Sequence, residues 1–147
     1  MEADGWLTEA CDALADVTLE PGQAVLIYTE AEVSVTSAGQ VAGAATILSS
    51  VAGFNSVGNN SPVSIDIQDI KLGEGATDWS DNIQFMDEES VVVASYYYAT
   101  TGESGLEADG WLTEACDALA EVEIPAGKGF FVYTEAAGVQ ITIQAAL

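Results

Sequence analysis

Almost all the chemistry this sequence could perform rests on carboxylates. Twenty-four Asp and Glu residues stand against two lysines, Lys71 and Lys128, with no Arg and no His, for a formal charge of −22. Lacking His, the chain lacks the commonest general base, the commonest zinc ligand and every Ser-His or Cys-His nucleophile pair. Lacking Arg, it has no bidentate clamp for phosphate. One task carboxylates perform alone is holding Ca²⁺, which takes about six to eight oxygens from flexible loops. Asp78, Asp81, Asp87 and Glu88 are the candidates, with Asp66, Asp69 and Glu89 near in sequence. No EF-hand-like spacing occurs, so a solvated acidic surface is the plainer reading, and no cofactor is expected, Ca²⁺ being the one ion these residues would suit. Two acids at a set separation would suffice for glycoside hydrolysis. Nothing in the sequence marks a cleft for it, and the expectation is a protein that is not an enzyme.

The thiols and lysines add little reactivity. Cys11 and Cys116 have no cationic neighbour to lower a thiol pKa, so they read first as a buried free pair and second as a link between chains. A disulfide within the chain requires Cα atoms within about 7 Å. Lys71 and Lys128 could form isopeptide bonds, but an exposed turn lysine is the simpler reading. Trp79, Tyr96 and Tyr98 could stack on sugar rings, although aromatics alternating along a strand more often pack in a core. The excess of negative charge repels nucleic acid and anionic lipid. Glycan and other copies of the chain remain as partners.

The elements that must position these residues are organised by a repeat. Glu2 to Ala15 and Glu107 to Ala120 are the same fourteen residues, EADGWLTEACDALA, at an offset of 105, and Tyr28-Thr29-Glu30-Ala31 recurs as Tyr133-Thr134-Glu135-Ala136. Residues 1–40 and 107–147 are therefore two copies of one half-unit, flanking a unique stretch, 41–106, and together they suggest one compact domain. Cys11 and Cys116, like Trp6 and Trp111, occupy equivalent places, and both tryptophans read as structural plugs. In each copy a Gly turn precedes a short apolar run, Ala24 to Tyr28 and Phe130 to Tyr133, with the length and composition of a strand. Val33 to Thr36 and Val139 to Ile143 alternate as half-exposed strands do. TEACDALA reads as a hairpin or irregular excursion rather than a helix. Ala45 to Val51, Val63 to Ile70, Asn82 to Met86 and Val91 to Ala99 are further strand candidates, with Ser64, Asp66 and Gln68 on the wet face of theirs. Short strands at this spacing predict an all-β fold, an antiparallel β-sandwich built from the duplicated half-unit around the middle stretch. At 147 residues and 49% apolar content the chain can bury a core.

GFNSVGNNSPVSIDIQDI (Gly53 to Ile70), Asp109-Gly110-Trp111 and IPAGKGFFVY (Ile124 to Tyr133) together resemble an uncharacterised, tandemly repeated β-domain of large bacterial surface and secreted proteins. Its pattern is G-x-N-x-x-G-N-x-x-P, then G-W, then P-A-G-x-G-F. The resemblance covers residues 41–147, and residues 1–40 resemble the back half of a preceding repeat. It implies surface location, tandem assembly and no catalytic residues.

These readings converge on an architectural role. The first half-unit has no front partner of its own, which would leave apolar faces and strand edges uncovered. We expect Trp6, Val25, Ile27 and Tyr28 to form an assembly interface in a structural subunit that joins head-to-tail into an extracellular filament or surface array by strand complementation. The alternative is a monomeric glycan-binding or adhesive module. No stretch reaches the roughly 20 apolar residues of a membrane span, and Met1-Glu2-Ala3-Asp4 begins no signal peptide. The expected location is extracellular or cell-surface, with the export signal outside this chain.

Overall fold

A computed structural model describes residues 6–10, 12–31, 43–87, 89–100 and 109–144. The architecture is essentially all-β. The strands are β1 (Thr46–Ser49), β2 (Gly53–Gly58), β3 (Ile65–Asp66), β4 (Ile70–Leu72), β5 (Asn82–Met86), β6 (Val92–Ala99), β7 (Gly110–Leu112), β8 (Glu123–Ile124), β9 (Gly129–Thr134) and β10 (Gln140–Ile143). All pairings are antiparallel, in a five-stranded sheet of order β2-β9-β5-β6-β7, a three-stranded sheet of order β1-β10-β4 and a small β3-β8 ladder.

Period-two alternation explains which faces meet. Val57, Phe130, Val132, Ile83, Tyr98 and Trp111 of the larger sheet join Ile70, Leu72, Ile141 and Ile143 of the smaller sheet, and Ile65 and Ile124 of the ladder, in one hydrophobic cluster. All four described strands of the C-terminal copy therefore contribute to the core shared with the middle stretch. Trp111 and Leu112 are fully buried, and Trp111 packs edge-to-face on Tyr98 with ring centroids 4.9 Å apart.

Three expectations need correcting. Val63 to Ile70 is not one alternating strand: the chain turns through a 3-10 segment, Ile67–Asp69, closed by a reciprocal cap in which Asp66 accepts from the Gln68 N–H and Asp69 accepts from the Asp66 N–H. The side chains of Asp66 and Asp69 thus prefer local backbone donors to an extended ladder. Ala24 to Tyr28 forms no strand, although its equivalent does. The difference is one of neighbours, since β9 lies between β2 and β5 whereas the described residues of the N-terminal copy join a sheet ladder through a single bridge at the outer edge of β2, Gln23 opposite Val57. That edge contact comprises hydrogen bonds from Gly58 N to Gly22 O (2.8 Å) and from Ala24 N to Ser56 O (3.3 Å). Finally, β2, β7 and β8 lie outside the strand candidates read from composition and alternation. The expected strand Val33 to Thr36 lies outside the described residues.

Candidate assembly interface

Amide side chains of the middle stretch hold the C-terminal copy by its backbone. Gln68 donates from Nε2 to Trp111 O (2.8 Å) and Ala120 O (2.9 Å), and accepts at Oε1 from Trp111 N (3.1 Å). The Trp111 indole N–H donates to Ile70 O at 2.7 Å. Asn59 is buried and donates to Val63 O, Ile124 O and Pro125 O, while its own carbonyl accepts from Gly127 N and its N–H donates to Lys128 O. Asn55 bridges Val51 O, Gly53 O, Val132 O and Thr134 Oγ1. Buried amides must be paired in this way, because an orphaned one costs about 1–3 kcal/mol. The glycine before Trp111 is required by the same clamp: a Cβ on Gly110 would overlap Gln68 Oε1 and come 3.0 Å from Leu119 Cδ2.

The described residues of the N-terminal hairpin repeat the local fold of their twins. Thr8 N donates to Ala13 O (2.9 Å) and Ala15 N to Trp6 O (2.7 Å), as Thr113 N does to Ala118 O (2.9 Å) and Ala120 N to Trp111 O (2.8 Å). Thr8 Oγ1 to Asp12 and Thr113 Oγ1 to Asp117 are both 2.8 Å. Leu7 opposite Leu14 matches Leu112 opposite Leu119. The turns that follow agree too, with Gly22 at φ +85° and Gly127 at φ +72°, the left-handed region that glycine enters without strain. Each TEACDALA segment is thus a tight hairpin-like excursion whose shape is set locally.

The surroundings of the two hairpins differ. Trp6 is 70% exposed, whereas Trp111 is fully buried. Val25, Ile27 and Tyr28 are 53%, 38% and 89% exposed, so all four expected interface residues face solvent. Leu7, Leu14, Val17, Leu19 and Leu26 of the same copy are at least half exposed as well. The reading of Trp6 as a plug is therefore corrected: it has the plug's sequence and no hole to fill within the described residues. Leu19, Gln23 and Ala24 line one wall of a cleft of about 350 Å³, opposite Leu48, Val51 and Phe54 of the β1–β2 region.

The other candidate residues have local tasks. Asp78 accepts from the N–H and hydroxyl of Thr100. Asp81 is fully buried, with one oxygen on Thr77 N and the other on Glu135 N, and Asp87 caps the turn to Val91. Glu88 lies outside the described residues, among which no group of three or more possible metal-ligating side chains comes together. Cys116 has a free thiol in a positive-φ turn position, its Sγ 3.8 Å from Glu114 O; Cys11 lies outside the described residues. Lys71 Nζ donates to Asp109 O at 2.8 Å. Trp79, Tyr96 and Tyr98 do not form one platform. Tyr98 is buried with its hydroxyl on Leu72 O, Tyr96 packs on Phe85, and Trp79 is 42% exposed. Burial above all, with the negative charge of Asp109, pushes the Tyr98 phenol above its usual pKa.

Sequence reasoning placed Gln68 on a wet face and gave Asn55 and Asn59 no task. The available signal was an amide embedded among apolar residues, as in Ile67-Gln68-Asp69-Ile70, since such a group needs partners wherever the chain folds. Protein-family models, curated proteins and solved structures offer no match to the chain.

Proposed function

We propose that this protein is a non-enzymatic structural module, a β-sandwich of duplicated half-units, whose N-terminal copy joins it head-to-tail to further units in an extracellular filament or surface array. One observation carries this reading. A fourteen-residue stretch occurs twice, its described residues are closed by the same backbone hydrogen bonds in both copies, and the Trp and Leu that are core at Trp111 and Leu112 are bare surface at Trp6 and Leu7. Exposing Trp6, Leu7, Leu14 and Tyr28 together is costly in water at about 25 cal/mol per Å² of apolar surface. A surface of this kind marks an interface. Backbone recognition by Gln68 and Asn59 suits a repeating structure, because it asks only for a given chain path.

The test is the size of the purified protein in sedimentation and in electron micrographs. Assemblies that grow with concentration, and that Trp6→Ala or Tyr28→Ser abolishes, are expected. A wild-type chain that remains monomeric at high concentration overturns the proposal.

A second reading, a glycan-binding module, is favoured by the face of the five-stranded sheet on which Phe54 is exposed and Tyr133 and Tyr97 are half-buried around the buried Asn82. There Phe54, Tyr133, Asn82 and Tyr97 are successive cross-strand partners, and Gln84 donates to Asn82. Rings beside amides suit sugar rings. Binding of soluble polysaccharides that Tyr133→Ala removes would support this reading.

A further inference from the structure

We infer that the clamp formed by Gln68 and the Ile70 carbonyl reads the Trp6–Ala15 hairpin of a second copy of this chain in place of its own Trp111–Ala120 hairpin, so that copies join by hairpin exchange. The inference deepens the assembly reading and rests on it. The interface is already drawn once within the chain: Gln68 grips the N–H and carbonyl of Trp111 and the carbonyl of Ala120, and Ile70 takes the indole N–H. Every one of these groups has a counterpart at Trp6 and Ala15. The backbone ring that presents them is closed by the same hydrogen bonds in both hairpins. The buried contacts follow the same identity, since the side chains from Glu2 to Ala15 are those from Glu107 to Ala120. A clamp that contacts main chain, Trp and Leu has no means of telling one hairpin from the other.

Stoichiometry then constrains the assembly. Each chain carries two copies of this hairpin and, among the described residues, one such clamp, so a guest hairpin must displace the resident one. Host and guest make the same contacts, and tethering decides between them. The resident hairpin wins at low concentration through its high effective concentration, and exchange gains ground as the protein is concentrated or when the resident is weakened. Domain swapping obeys the same rule.

The experiment compares full-length Trp111→Ala, Trp6→Ala and the double variant by thermal melting and sedimentation over a hundredfold range of concentration. Trp111→Ala weakens only the resident, leaving one strong hairpin per clamp. It should associate, show a melting temperature that rises with concentration, and shift its tryptophan emission to the blue as Trp6 becomes buried. The double variant should stay monomeric and melt lower. Identical melting and size for Trp111→Ala and the double variant overturns the inference, as does a rescue that is independent of concentration, which would place the guest hairpin in the same molecule. A second measurement does not depend on Trp111→Ala folding. Wild-type chain unfolded and refolded at high concentration should yield several-fold more dimer than Trp6→Ala treated alike, and equal yields overturn the inference. Native wild-type size, which decides the assembly reading, enters neither comparison.

Discussion

Replacing Gln68 by Leu keeps most of the side-chain volume and removes every polar contact of the clamp. Three hydrogen bonds disappear, but they do not count equally. Trp111 O retains the bond from Ala120 N at 2.8 Å, so its loss is a fraction of a typical net hydrogen bond. Trp111 N and Ala120 O were paired by Gln68, and Trp111 and Ala120 are buried to 0% and 2% exposure. An orphaned buried group costs about 1–3 kcal/mol, and two of them give an expected loss of about 3 kcal/mol. Against a total stability of about 5–15 kcal/mol, that is a large share. For a chain of this size it corresponds to a fall of about 10 °C in melting temperature. Gln68→Glu should cost at least as much, because a carboxylate would face the Trp111 and Ala120 carbonyls. Asn60→Ala is the control, since it removes one exposed hydrogen bond, to Thr46 Oγ1, and should change stability by less than about 0.5 kcal/mol. Urea denaturation followed by circular dichroism and by tryptophan emission gives both numbers. A Gln68→Leu chain within about 0.5 kcal/mol of Asn60→Ala would refute the claim that the clamp holds the Trp111 hairpin.

Three further outcomes are expected. Gly110→Ala should destabilise the protein by about 1–3 kcal/mol through overpacking, because its methyl group displaces Gln68 Oε1; a neutral effect in urea denaturation would show that the clamp can step aside. The raised Tyr98 pKa means that the native state keeps a proton the unfolded state loses above about pH 10, so the stability it contributes is complete below that pH and is lost as pH rises through the folded value. Absorbance at high pH should show one phenol ionising late, in step with unfolding, and Tyr98→Phe should remove that step. With 24 acids against two lysines, self-repulsion should ease as added salt shortens the screening length from ~30 Å at 0.01 M to ~10 Å at 0.1 M. A melting temperature that does not rise over that range would mean the charges lie too far apart to matter.

The parts of the fold legible in the sequence were those whose cause is local. Asn82 to Met86 became β5 with the expected bounds, and Phe130 to Tyr133 lies within β9, because composition and alternation there agree with the environment the strand enters. The hairpin in TEACDALA was legible for the same reason, its Thr8–Asp12 and Thr113–Asp117 bonds being internal. Val63 to Ile70 failed where a local rule of another kind intervened. Its alternating letters suggested a strand, and two aspartates capped a turn instead, leaving Val63 half exposed and Gln68 facing the core. Four candidate site residues, Trp6, Val25, Ile27 and Tyr28, were legible as an apolar set because the repeat places a second copy of core letters ahead of the middle stretch.

Ala24 to Tyr28 marks the limit of reading a strand from its own letters. Its apolar run is as fit for a sheet as Phe130 to Tyr133, and it carries the same Gly turn ahead and the same Tyr-Thr-Glu-Ala ending. It still forms no strand, because β2 and β5 already have β9 between them and a strand is defined by its ladder partners. The duplication separates two quantities that single sequences confound. Hairpin and turn geometry recur wherever the letters recur, and belong to the segment. The strand state of Ala24 to Tyr28 against Phe130 to Tyr133, and the burial of Trp6 and Leu7 against Trp111 and Leu112, differ between the copies and belong to the neighbours. A segment with its local shape already set and its tertiary contacts unmade has met much of the ordering entropy of binding in advance, which is the physical reason an unburied copy of a core hairpin is better suited to recognition than a flexible tail of equal hydrophobicity.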